Sequence, residues 1–293
     1  MSRNESAKVK QPRITPTVLR AIARWCKQEE ETGEYKPFLN ALRSGTVGTG
    51  HIGYNSSGTH PHQMLSRNEK HLVRVLRFLP NVLSIRLQFP LLPITETMRL
   101  AKHSNIRHPA FNKIVNGVSR LHASVMTTDV LIEYLDETGD EKLMALSLKY
   151  VEEPSPPIEL EQDEIERTQE KLYLEKLYWE TLGCEWRLVT RYGPLFNEFF
   201  IKNLQEAEDR INLKYDEAIK QRVLVSSLKV LGEYPNIRFQ NYRSKVSALS
   251  GVRESSVLCI FWQLIWEQKL LVDLTKSIGF NEPLFGGQQW VWS

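Results

Sequence analysis

The amino-acid sequence predicts a chain in two parts, a mixed α/β domain followed by a mainly helical one. Two observations carry this. Between residues 66 and 190 the hydrophobic period changes in the order helix, strand, strand, strand, helix, strand, which describes a small mixed sheet flanked by helices. Beyond a break at Gly193-Pro194 the texture becomes helical and stays so until Leu270. A chain of 293 residues has room for two domains of ordinary size, each with enough apolar side chains for a core.

The elements follow in order. Residues 1–15 are polar and read as a disordered tail. Thr15 or Thr17 can cap a helix that places Val18, Leu19, Ile22, Ala23 and Trp25 on one side. Residues 44–62, rich in Gly, Ser, Thr and His, read as a long loop or a loose hairpin. Ser66-Arg67-Asn68-Glu69 is a capping-box pattern, and it opens a helix through Leu72, Val73, Val75, Leu76 and Phe78 that Pro80 stops. Alternation over 82–89 predicts a strand ended by Pro90 and Pro93, whereas 94–118 shows no single period. Residues 129–134 and 143–151 read as a hairpin around the polar tip Asp136-Glu137-Thr138-Gly139-Asp140. A Pro/Glu linker covers 152–160. The longest expected helix, 161–182, stops at Gly183 and leads to a strand at 186–190. These readings define a domain at 16–193 and a second at 194–293. In the second, helical stretches at 194–232, 242–250 and 255–268 precede an expected strand at 270–274. Three helices and a short β-element give the outline of a winged-helix domain.

Composition excludes more than it selects. The formal net charge of +3 neither demands nor rules out nucleic acid. Cys26, Cys184 and Cys259 form no CxxC pair, so neither a zinc ribbon nor a disulfide framework is indicated, and a reducing cytoplasm is the expected location. The polar start is no secretory signal, and no apolar run reaches the roughly 20 residues that span a bilayer. Gly45-Thr46-Val47-Gly48-Thr49-Gly50 lacks the Gly-Lys-Ser of a phosphate loop, and no Gly-x-Ser-x-Gly elbow occurs. His51, His60 and His62 have no cysteine or acid to complete a zinc set. Arg67, Lys70, Arg74 and Arg77, with Lys102, His103, Arg107 and His108, form two basic clusters that favour a polyanionic substrate.

Three separated residues carry the chemistry. Asp129 opens one strand, Lys149 ends the next, and Glu69 lies on the upstream helix. The short tip brings Asp129 and Lys149 to the same open end. Ser147 and Lys149, two apart, share a strand face, and Leu148 offers its backbone carbonyl. Carboxylates that hold a divalent ion, with a lysine that meets developing charge on phosphate, outline a metal-dependent nuclease. Each residue also has a plainer reading: Asp129 as a turn residue, Lys149 as a solvated strand end, Glu69 as the partner of Ser66 in the capping box.

Ser84-Ile85-Arg86-Leu87-Gln88-Phe89-Pro90-Leu91-Leu92-Pro93 closely resembles the signature of TnsA proteins, the endonuclease subunits of heteromeric cut-and-paste transposons. Tyr35-Lys36-Pro37-Phe38, Ile106-Arg107-His108-Pro109, Met126-Thr127-Thr128-Asp129 and Leu174-Glu175-Lys176-Leu177-Tyr178-Trp179 resemble further family segments in the same order. The likeness covers roughly residues 15–192 well and the rest loosely. It implies a restriction-endonuclease-like catalytic domain, then a winged-helix domain. It also implies catalytic roles for Glu69, Asp129 and Lys149, with Mg²⁺ (or Mn²⁺), one or two ions, held by Glu69, Asp129 and the Leu148 carbonyl. Where the family commonly has Gln-Val-Lys, this chain has Ser147-Leu148-Lys149, and a neutral serine is a weak ligand. Glu175 either faces the site from the following helix or is a solvated helix charge. The resemblance further implies cleavage at transposon 5′ ends beside a DDE-type transposase, TnsB. The implied partner of the C-terminal domain is an AAA+ regulator, TnsC. A stand-alone restriction or repair nuclease and a non-catalytic assembly protein are the competing readings.

Overall fold

A computed structural model describes residues 9–39, 51–54, 61–64, 66–115, 118–149, 162–190 and 196–292. The elements are α1 (Pro16–Thr32), β1 (His51–Tyr54), β2 (Pro61–Met64), α2 (Arg67–Phe78), β3 (Val82–Pro90), α3 (Ile94–His103), β4 (Ala110–Val115), β5 (Val118–Ala123), β6 (Thr127–Leu135), β7 (Glu141–Lys149), α4 (Gln162–Thr181), β8 (Glu185–Thr190), α5 (Glu198–Glu208), α6 (Glu217–Glu233), α7 (Phe239–Ser250) and α8 (Glu254–Trp266). Contacts divide the chain into two units. One holds Met1–Arg67, Ser84–Tyr134 and Glu141–Thr190; the other holds Asn68–Leu83, Leu135–Asp140 and Arg191–Ser293.

The first unit is built on a four-stranded sheet in the order β3-β6-β7-β8. Strands β7 and β8 are parallel, with Ser147 opposite Leu188 and Lys149 opposite Thr190. A parallel pair needs a crossover, and α4 lies in it. Ser84 bonds to Glu133 and Gln88 to Asp129, so an advance of four on β3 is a retreat of four on β6. That is an antiparallel pairing, and the sheet is therefore mixed, as a restriction-endonuclease-like domain requires. Met144 to Ser147 are buried in succession, because β7 is a central strand covered on both faces. Leu91, Leu131, Ala145, Leu174, Tyr178 and Trp179 form the core beside it. Val18 of α1 packs with Ile94 and Ala123 in a second cluster.

Several expectations change here. Residues 9–15 are not a loose tail: the Arg13 N–H donates to the Leu121 carbonyl at 3.2 Å, and its own carbonyl accepts from Ala123 at 2.9 Å. Gln11 also donates to the Ile106 carbonyl and accepts from the His108 N–H. Residues 94–103 are a helix. Ile94, Thr97, Leu100 and Ala101 form its buried stripe, and a threonine in that stripe hides the period. Thr97 is there to meet buried His108 at 2.9 Å. Residues 110–115 and 118–123 pair as antiparallel strands. His108 of the second basic cluster is thus part of the interior.

The second unit gathers α5 to α8 and also α2. Phe78 meets Phe200 and Trp266, with ring centroids 6.2 and 5.8 Å away. Arg74 and Arg77 both grip Glu208, at 2.8 and 2.7 Å. Half of the basic cluster on this helix is therefore used inside the protein. The expected strand at 270–274 reduces to a short antiparallel pairing, in which Asp273 N–H donates to the Phe285 carbonyl and Gly287 N–H to the Leu271 carbonyl. The Asp273 carboxylate accepts from the N–H and hydroxyl of Thr275, which turns the chain and ends the ladder. Gly287 is required there, since a Cβ would lie 2.2 Å from the Val272 carbonyl. In the tail, the Trp290 ring lies tilted against Phe200 with centroids 4.5 Å apart, and buried Trp292 exchanges backbone hydrogen bonds with the Asn81 side chain. These aromatics belong to their own unit's core.

The linker at 152–160, the Gly193-Pro194 break and the glycine-rich Gly45–Gly50 stretch lie outside the described residues. Among the described residues no helix is long and apolar enough to cross a membrane.

Candidate active site

Asp129 is the third residue of β6, and Lys149 is the last residue of β7. The Asp129 carboxylate is held from two sides. One oxygen accepts the Leu148 backbone N–H at 2.7 Å, and the other accepts the Gln88 side-chain amide at 3.2 Å. Gln88 is itself fixed, because Thr127 donates its hydroxyl to the Gln88 amide oxygen at 3.0 Å. Its backbone lies in the left-handed region at φ 51°, uncommon for a residue with a side chain and costly by about 1–2 kcal/mol. Strain of this kind persists where the surroundings enforce it, often at functional sites. Burial pushes the Asp129 carboxyl above its ordinary range, against the lowering effects of the Leu148 N–H, the Lys149 charge and the Gln88 amide.

A second carboxylate joins from α4. Glu175 is 7% exposed, and its Oε1 accepts the Ser147 hydroxyl at 2.5 Å. Ser147 in turn accepts the Trp186 indole N–H at 2.9 Å. Trp179 donates to Thr128 Oγ1 at 2.6 Å, which leaves the Thr128 proton for Glu175. Burial raises the Glu175 pKa to about 7, and the Asp129 charge adds to this. The Ser147 and Thr128 hydroxyls and Lys149 oppose it.

Two buried carboxylates thus sit in each other's field with one lysine in reach of both. Neither is comfortable as an anion without a counter-charge. A proton relieves Glu175 near neutrality, and a divalent cation with hard oxygen ligands would do the same for the pair. The donor set therefore fits such an ion. Among the described residues no group of three His, Cys, Asp or Glu is placed to hold a metal.

Of the residues singled out from sequence, Asp129, Ser147, Leu148 and Lys149 are brought together. Ser147 has its proton on Glu175, so it supports that carboxylate rather than presenting a spare hydroxyl. Glu69 is buried in the first turn of α2, which groups with the second unit. Glu175 was left open by the sequence, yet it shares the helix face of buried Tyr178 and Trp179, three and four residues on. An acid on an apolar stripe was the available signal. Gln88 and Trp186 gave none; one is an ordinary strand residue, the other an ordinary aromatic.

Residues 79–191 match the family model for the TnsA-like endonuclease N terminal. Over 172 residues the chain is 34% identical to the transposon Tn7 transposition protein TnsA of Escherichia coli. The matched stretch 79–191 is a TnsA-like endonuclease N-terminal domain. The aligned stretch is 58% of this chain and 56% of that TnsA, so the chain spans little more than half of its relative's length. Gln88, Asp129, Ser147, Lys149 and Glu175 all fall within the region matched as TnsA-like, and Glu69 precedes it.

Proposed function

We propose that this chain is a metal-dependent DNA endonuclease subunit of a heteromeric transposase. It cleaves the 5′ ends of a transposon during cut-and-paste transposition. The observation that supports this most directly is the pair of buried carboxylates, Asp129 and Glu175, within the field of Lys149 at one end of the mixed sheet.

Asp129 and Glu175 would hold Mg²⁺, or Mn²⁺ in its place, with the Leu148 carbonyl as a backbone donor. When bound, the ion lowers the pKa of a coordinated water and neutralises charge on the scissile phosphate. The Leu148 N–H and Gln88 fix the rotation of Asp129, which the reaction needs in one geometry only. Ser147 and Thr128 do the same for Glu175. A neutral serine stands where related nucleases often carry an acid, and Glu175, resting on that serine, supplies the missing negative charge. Lys149 donates to the phosphate as charge develops or orients the attacking water, a role worth about 10²–10³-fold in rate. Glu69 is assigned a catalytic role on the family resemblance alone.

The partners in this reading are transposon-end DNA, a DDE-type transposase of the TnsB kind and an AAA+ regulator of the TnsC kind, the last bound through the C-terminal unit. That unit is read as winged-helix-like, with α6 to α8 as its helices and the 271–273/285–287 pairing as a minimal wing. Beyond Ser255, α8 is buried or half-buried, so it offers no face to a DNA groove.

Strand-specific mapping of excised ends tests the reading. With transposon-end DNA and the partner proteins, Asp129→Ala should abolish 5′ cutting while leaving the folded circular-dichroism spectrum intact. Undiminished 5′ cutting by a folded variant sinks it.

A further inference from the structure

Arg167, Lys171 and Glu175 follow one another at intervals of four along α4, so their side chains run along one helix face. Glu175 ends the row inside the site. Lys171, one turn before it, is exposed. Its ammonium is nonetheless partly desolvated, and this, together with the like charges of Arg167 and Lys149, pulls it below the ordinary range. Arg167 is anchored, donating to the Arg107 carbonyl at 2.9 Å and pairing with Glu170. Lys171 makes no ion pair among the described residues, whereas Lys176, the residue after Glu175 and on a different face of α4, pairs with Glu180 at 3.6 Å.

Like charges held near one another on a helix and a strand end repel. A phosphate between them turns that repulsion into attraction. Lys149 stands beside the carboxylates, where the cut phosphate belongs; Lys171 is displaced from it along α4. The displacement suits the neighbouring phosphate of the same strand.

We propose that Lys171 is a DNA-backbone residue that binds a phosphate adjacent to the one cleaved, and so holds the strand in register over Asp129 and Glu175. This rests on reading the site as one that acts on DNA. Lys171 positions the strand and takes no part in the bond change.

The test is duplex binding by the full chain, read by fluorescence anisotropy in EDTA over a series of salt concentrations, with a labelled transposon-end duplex of about 30 base pairs. Each phosphate contact contributes about 0.9 to the slope of log affinity against log salt. Lys171→Ala should lower the slope by about that amount, Lys171→Arg should keep it, and Lys176→Ala should leave it unchanged. An unchanged slope in Lys171→Ala overturns the proposal. So does an equal loss in Lys176→Ala, or a wild-type chain that does not bind the duplex. Cleavage is read separately on the same DNA with the partner proteins. A wild-type chain that binds but never cuts therefore contradicts the nuclease reading and not the Lys171 contact.

Discussion

The Ser147 hydroxyl donates to the Glu175 carboxylate at 2.5 Å, and the bond ties a strand of the sheet to the helix that crosses over it. On the proposed reading, a residue that looks like the loss of a metal ligand becomes the support of one. Ser147→Ala removes this donor and strands the Trp186 indole N–H, which now ends on the same oxygen. A cost of about 1–3 kcal/mol in unfolding free energy is expected, readable from urea titration. Ser147→Thr, which keeps the hydroxyl, should recover part of it. Equal stability of Ser147→Ala and wild type contradicts the role.

Glu175 makes stability depend on pH and, on the proposed function, metal binding as well. Its folded pKa, about 7, lies above the ordinary glutamate range, so between the two the folded chain binds more protons than the unfolded one. The stability it contributes in the metal-free protein is full below that range and is lost as pH rises through 7. Asp129, also raised, acts in the same direction. Below pH 7 a cation must displace the proton, so apparent Mg²⁺ affinity should rise by up to about tenfold per pH unit and level off above it. Calorimetric titration between pH 5.5 and 8 checks this, and a pH-independent affinity contradicts it.

Gln88 separates backbone strain from side-chain positioning. Gln88→Ala and Gln88→Gly both lose the contacts to Asp129 and Thr127, but only glycine accepts φ 51° without strain. The glycine variant should be the more stable of the two by about 1 kcal/mol in thermal melts. Both should cleave more slowly than wild type, because Asp129 is no longer oriented. An alanine variant as stable as the glycine one would show that the position is not strained.

In the second unit, Glu208 neutralises Arg74 and Arg77 together, and Arg74 is 5% exposed. Glu208→Ala leaves a buried guanidinium unpaired. A loss of about 3 kcal/mol is expected, the low end for such a change because Arg77 and Glu208 keep about a fifth of their side-chain surface in water. Glu208→Ala within about 0.5 kcal/mol of wild type would mean that the pairs contribute little.

The four strands of the main sheet were legible in the sequence: β3 from its alternation and Pro90, β6 and β7 from the Asp136–Asp140 tip between them, and β8 from the Gly183 stop before it. Helix α3 was not, since Thr97 breaks its apolar stripe to serve His108. Asp129 and Lys149 could be paired from the hairpin alone. Glu175 could not be assigned that way, since its place depends on the rotation of α4 against the sheet. Nor could Arg74 and Arg77 be told from a solvated basic face, because their partner Glu208 is 134 and 131 positions away.

On the proposed function, Asp129 and Glu175 together form the metal-holding pair of a phosphodiesterase site. Glu175→Gln keeps the shape and the Ser147 contact but removes the charge. Strand-specific 5′ cleavage of transposon-end DNA, measured beside Mg²⁺ titration of the same protein, should fall by at least about 10²-fold, with affinity for the ion lost in parallel. A folded Glu175→Gln that binds Mg²⁺ and cuts at the wild-type rate would make Glu175 a structural residue and contradict the account.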